Sequence, residues 1–227
     1  MPPLNDPRPH KRLNRAQRAE ATRAKILEAS IEAVGEYGYA GASIARIADR
    51  AGIAQGTFYN YFESRQNLLE QLLPMISLEL LEHVREKVMA APDDPIARER
   101  ARITGFFEFL RQTPHLFTML HEGEFHTRIG FQKHVEMQTA SYERAMRFEM
   151  RRGHLRVTDP AKLSVFVRML MASRDYISGH FCMRDGKVVE PPDHVIDAYM
   201  DFVVGGLFKQ PEGLIKGEDD HAARRSH

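Results

Sequence analysis

The sequence predicts an all-α protein: an N-terminal three-helix helix-turn-helix DNA-binding domain, then a larger helical domain, about nine helices in all. Three observations carry that expectation. Apolar residues recur at i, i+3, i+4 and i+7 along most of the 227 residues. Helix-starting and helix-stopping residues separate these runs, as at Thr113-Pro114, Gly153, Asp159-Pro160 and Pro191-Pro192. No strand-like alternation extends beyond a few residues, and no repeat of fixed period occurs.

Residues 1–14 include prolines at 2, 3, 7 and 9 and almost no apolar side chains, so they read as a disordered basic arm. Residues 1–25 hold Arg8, Lys11, Arg12, Arg15, Arg18, Arg23 and Lys25 against Asp6 and Glu20. Seven basic side chains against two acidic ones make that segment +5, in a chain of formal net charge +1. Such an arm suits either phosphates or plain solvation. A helix is expected over residues 15–37, with Leu27, Ile31 and Val34 on one face and Gly38 as its stop. Ser43 then caps a short helix whose Ile44, Ile47, Ala48 and Ala51 form one apolar face. Gly52 makes the turn, and Phe58 and Phe62 point inward from the second helix. Two helices around a short glycine turn form a helix-turn-helix, whose second member can enter a DNA major groove.

Ser64 caps a long helix to about residue 89, carrying Leu69, Leu72, Leu73, Ile76 and Leu80, with Pro74 expected to kink or break it. Further helices are expected at 95–112, 114–122, 127–152, 160–183 and 193–208. Residues 210–227 read as a flexible tail. The expected domains are therefore a helix-turn-helix head at 15–63 and a larger helical part at 64–209.

Composition excludes several classes. The chain is 43% hydrophobic and 28% charged, as in ordinary globular proteins. No apolar run reaches the ~18 residues of a membrane span, and no apolar stretch follows the basic N-terminus as in a secretory signal. Cys182 is the single cysteine, which suits a reducing compartment and predicts a cytoplasmic protein. His121 and His126 are five apart with Gly123 between, not the four that places two metal ligands on one helix face, so no metal is expected. No Gly-x-Ser-x-Gly elbow or phosphate-cradling glycine loop occurs, and His180 beside Cys182 would be splayed away by a helix. Neither an enzyme nor a cofactor is expected. An architectural DNA-bending protein would want a broader basic surface.

The sequence resembles the TetR family of bacterial transcriptional regulators. The match runs from Arg23 to Tyr37-Gly38-Tyr39, then Ser43-Ile44-Ala45-Arg46-Ile47-Ala48, Ala51-Gly52-Ile53 and Gly56-Thr57-Phe58-Tyr59-Asn60-Tyr61-Phe62, closing with Ser64-Arg65 and Leu68-Leu69. The resemblance implies a homodimer that binds double-stranded operator DNA and holds a small inducer in its helical C-terminal domain. It implies DNA contacts at Ser43, Arg46, Gln55, Thr57, Tyr59, Asn60 and Arg65. The chemistry agrees: hydroxyls suit phosphate oxygens, Gln55 and Asn60 amides can read adenine, and Arg46 can read guanine or hold a phosphate. Tyr59 and Tyr61 could instead pack against the first helix, and Gln55 and Asn60 could be a solvated face. Two residues depart from the pattern: Glu63 replaces a frequent base, and Tyr61 a common histidine.

Residues 103–150 are rich in Phe, Met and His, which suits core packing or an adaptable apolar pocket. The expected lining is Phe106, Phe109, Phe117, Met137 and Met146, with His121, Tyr142 and Arg174 as polar anchors for a small apolar ligand. Apolar stripes on the last two helices are expected to make the dimer interface through Phe166, Leu170, Val195, Tyr199, Phe202 and Val203. The whole reads as a ligand-released repressor on a pseudopalindromic operator, with activation as the alternative sign.

Overall fold

The computed structural model describes residues 14–209. The expected basic arm, Asn14 excepted, and the expected tail at 210–227 lie outside the described residues. Asn14 and Gln17 form a reciprocal capping box at the start of helix α1 (Arg15–Gly41). The α1 backbone leaves helical geometry at Gly38 (φ 67°), one residue beyond the expected end. Ser43 caps α2 (Ile44–Ala51) by accepting from the Arg46 amide, and Gly52 (φ 67°) ends it in the left-handed region.

The next helix, α3 (Gln55–Phe58), is a single turn, shorter than the run to Phe62 that the pattern suggested. Ser64 caps α4 (Arg65–Ala90), which continues through Pro74. Without an N–H at Pro74, the Glu70 carbonyl lacks its usual partner one turn on. Gly130 packs against that oxygen, and its own N–H donates to the Glu70 carboxylate. A Cβ there would collide with the backbone, so only glycine fits.

The remaining helices are α5 (Pro95–Gln112), α6 (His115–His126), α7 (Arg128–Arg151), α8 (Pro160–Phe181) and α9 (Asp193–Leu207). Gly123 was expected to lie beyond the end of α6. Instead α6 continues through it to His126, and a side chain at 123 would collide with Leu73 of α4. Among the described residues there are nine helices, an isolated antiparallel bridge between Leu155 and Phe208, and one strand pair. The pair is a hairpin of β1 (Met183–Arg184) and β2 (Lys187–Val188). Its turn residues Asp185 (φ 51°) and Gly186 (φ 72°) are both left-handed, as an Asp-Gly hairpin turn requires.

One buried cluster extends from Ile26 and Phe58 through the α4 leucines to Met146, Val167 and Phe208. It does not break at residue 63, because α4 packs on α1 at one end and on α5 and α7 further along. Within it, Ser77 Oγ donates to the Leu73 carbonyl (2.6 Å), so the His134 Nδ1–H must donate to Ser77 (2.5 Å). Burial, and secondarily the Arg174 charge, lowers the His134 pKa from 6.5 to about 3. The unfolded chain therefore holds a proton that the folded chain lacks between those values, so stability falls as pH drops through that window. Between pH 6.5 and 5 this residue should remove roughly 2 kcal/mol. Chemical denaturation of the wild type and His134→Asn across that range should differ in slope; parallel pH profiles would reject the assignment.

Candidate functional site

Two surfaces carry the candidate chemistry. The first is the α2–α3 face. Ser43, Arg46, Gln55, Tyr59 and Asn60 are exposed there together, and Thr57 is half-buried between them. Gly56 adds no side chain and has open space around it, so the α3 backbone itself is accessible. Beneath that face Phe58 and Phe62 are buried, their ring centroids 5.6 Å apart. Tyr61 packs against the core, whereas the Tyr59 ring is 59% exposed, so these neighbours divide the roles left open for them. Arg46 lies over the Tyr37 ring (4.6 Å) and donates to the Gly41 carbonyl (2.6 Å), which pre-positions its charge at the rim.

Arg65 is placed differently from its expected role. Its Nε donates to the Ala42 carbonyl (2.7 Å) and its Nη2 to the Tyr39 carbonyl. The chain leaves helical geometry at Gly38, and Arg65 takes up carbonyls of the segment that follows. Two of its three guanidinium nitrogens are thus engaged within the protein. Two other basic side chains of the head are also engaged. Arg50 pairs with Glu32 and Glu36, and Arg23 lies over the Phe62 ring and donates to Gln71.

The head meets the rest of the chain through α6. Glu122 Oε2 accepts from the Tyr39 amide (2.9 Å) at the Gly38 turn, and the Tyr39 ring stacks on His126. Gln66 of α4 donates to the His126 carbonyl (2.8 Å). This accounts for Phe117 and His121, expected in the pocket: they stack on one another on α6, which packs mainly along α1.

The second surface is a cavity of about 180 Å³ between α4, α5, α7, α8 and α9. Of the expected ligand residues, Phe106, Tyr142 and Arg174 line it. Phe109 is instead buried beside His83, Met146 is buried away from the lining, and Met137 is half-buried. Met137 and Met146 are each one residue off the lining positions Gln138 and Ala145 on α7, and Phe109 lies a turn beyond Ile103 and Phe106, which line it on α5.

The expected dimer residues divide similarly. Leu170 and Tyr199 line the cavity, Val195 and Val203 are buried within their own chain, and Phe166 is half-buried. Phe202 is exposed. Each helix buries one stripe in its own domain, and a different stripe remains outside: Val165, Met169 and Tyr176 on α8.

Beside the cavity lies a buried polar cluster that pattern reading missed. Glu99 Oε1 accepts from the Tyr142 and Tyr199 hydroxyls, and Oε2 pairs with Arg102 at 2.7 Å. Burial and this carboxylate push both tyrosines well above their usual range. The signal was present: Glu99 occupies the apolar stripe of Ile103, Phe106 and Leu110, where a charge needs partners.

Among the described residues, no group of three or more His, Cys, Asp or Glu could hold a metal, and no helix is long and apolar enough to cross a membrane.

Residues 26–72 match the model for bacterial regulatory proteins of the tetR family. The HTH-type transcriptional regulator BetI of Yersinia pestis is 39% identical over 87 residues, which cover 38% of this chain and 44% of that protein. The chain thus spans less than half the length of the curated relatives it matches. The fatty acid degradation regulator FadR of Bacillus halodurans has a similar structure, with a TM-score of 0.68 at 18% identity over 82% of this chain and 95% of that one. AibR, solved with isovaleryl coenzyme A and operator DNA, gives 0.58 at 20% identity over 80% and 97%. At these identities the likeness speaks for the fold.

Proposed function

We propose that this chain, whose residues 26–72 match the model for bacterial regulatory proteins of the tetR family, is a member of that family and a ligand-released, DNA-binding repressor acting as a cytoplasmic homodimer. The observation that carries this reading is the exposed row of Ser43, Arg46, Gln55, Tyr59 and Asn60 on the α2–α3 face, within the matched residues. Thr57 flanks that row, and Arg65 supports it from beneath as a positioning residue. The division into a head at 15–63 and a ligand and dimer domain at 64–209 rests on α4, which starts just after the head, packs on α1 and ends along the cavity.

Two heads on a pseudopalindrome must reach major grooves about 34 Å apart. The exposed α8 stripe with Phe202 supports a two-chain interface, since large apolar residues left outside in a row favour association. Ligand in the cavity bears on α4 through Leu81, Val84 and Val88, and α4 with Glu122 of α6 connects to the head. A shift there changes head separation and lowers operator affinity. The apolar lining suits a small ligand with an apolar portion, as isovaleryl coenzyme A is for AibR.

Gel retardation on a panel of operator variants tests the DNA reading. Tyr59→Phe should weaken binding to every sequence alike, whereas Gln55→Ala should relax preference at one base pair by ~1–3 kcal/mol. Uniform loss with Gln55→Ala would reassign that residue to positioning. Failure of the wild type to bind any DNA in a salt-dependent way would reject the function.

A further inference from the structure

The cavity is apolar in most of its wall, yet it contains three arginines and no acidic side chain among its described lining residues. Two of the three are neutralised from outside it: Arg102 by Glu99 (2.7 Å) and Arg85 by Glu82 (2.5 Å). The third, Arg174, has only a long ion pair with its neighbour Asp175. Its side chain is only 11% exposed, and its nearest carboxylate, Asp175, stays 3.8 Å from Nε, outside hydrogen-bond reach. Both Nε and Nη2 are buried without a hydrogen-bond partner.

The geometry of those two atoms is specific. The guanidinium carbon lies 4.0 Å from the Phe106 ring centroid, so the Phe106 ring occupies one side of the group and its N–H edges remain free. Nε–H and Nη2–H project in parallel from one such edge, the fork that accepts a carboxylate with two hydrogen bonds. Buried N–H groups without acceptors are costly, so a ligand that supplies the acceptors gains strongly by binding. A cation in the same place would face the Arg174 guanidinium and offer its N–H groups no acceptor.

Resting on the proposed ligand cavity, we propose that the effector is an anionic amphiphile: a small organic acid with an aliphatic or aromatic body. Its carboxylate lies on the Nε–Nη2 edge of Arg174. Its body lies against Val84, Val88, Ile103, Ala145 and Met171. The recognised group is a free carboxylate, not a thioester, because a neutral thioester carbonyl brings no negative charge to the buried guanidinium.

Calorimetric titration of the full chain with octanoate, octanol, octyltrimethylammonium and octanoyl coenzyme A tests this. Octanoate should bind at least roughly tenfold more tightly than octanol, the scale of a charge-assisted pair, and the ammonium should not bind. Arg174→Gln should abolish that preference while leaving octanol affinity in place. Arg174→Lys, which retains the charge without the fork, should fall between and guards against a variant that fails to fold. Equal affinity for octanoate and octanol, or a preference that survives Arg174→Gln, overturns the proposal. So does binding of octanoyl coenzyme A without octanoate, or binding of none of the four. Gel retardation with the same preparation separates the two readings. DNA binding without an octanoate preference removes the carboxylate and leaves the regulator standing.

Discussion

Replacing Glu99 by alanine should cost ~3–5 kcal/mol, because it leaves a buried guanidinium without its counter-charge. Glu99 is fully buried and holds three partners from three helices: Arg102 of its own helix, Tyr142 of α7 and Tyr199 of α9. Alanine strands Arg102, whose side chain is only 14% exposed, and deprives two buried hydroxyls of their acceptor. For a chain of this length, that is a melting point lower by roughly 6–20 °C. Glu99→Gln retains an acceptor but not the charge, and should lie between. The informative control is the double change Glu99→Leu with Arg102→Met. It removes both charges together and should recover the share of the loss due to the stranded guanidinium, while the two hydroxyls still lack their acceptor. A loss under ~1 kcal/mol for Glu99→Ala would mean water reaches Arg102 and the cluster is not closed.

Phe58→Ala should have the second large effect, and a more local one. With α3 only a single turn long and no side-chain cap at Ala54, the helix has little stability of its own. Its place on α2 depends on Phe58 and Phe62 being driven into the core. Truncating a fully buried phenylalanine costs ~3–5 kcal/mol. That is a large share of the ~5–15 kcal/mol by which a domain is stable. The expected result is loss of DNA retardation together with faster amide hydrogen exchange through α1–α3, while α7–α9 amides exchange as before. Its neighbour supplies the contrast. Tyr59→Ala removes an exposed ring, so it should weaken DNA binding with little change in the thermal midpoint. Wild-type DNA affinity in Phe58→Ala would show that α3 is held by other means.

These two sites differ in how legible they were. Phe58 and Phe62 declare themselves by spacing, because a four-residue interval on a helix must face one way. The caps at Ser43, Ser64, Asp94 and Asp159 are equally local: each side chain accepts an amide within three residues of itself. The Asp185-Gly186 hairpin was also local, and its turn dipeptide outweighed the weak strand signal around it. So the sequence by itself determined the helices, their order and the exposed α2–α3 face.

What only the tertiary structure decided is which neighbour each apolar face meets. Helix α6 carries Phe117 and His121, yet it packs along α1 and leaves the cavity to α4, α5, α7, α8 and α9. Arg65 has the composition of a phosphate contact and the geometry of a carbonyl clamp. Leu170 and Tyr199 look outward by pattern and face inward by packing. Periodicity determines that residues share a face, because it follows from the 3.6-residue turn. It cannot determine what that face meets, because the choice among partners depends on side chains a hundred residues away, as Glu99 and Tyr199 demonstrate.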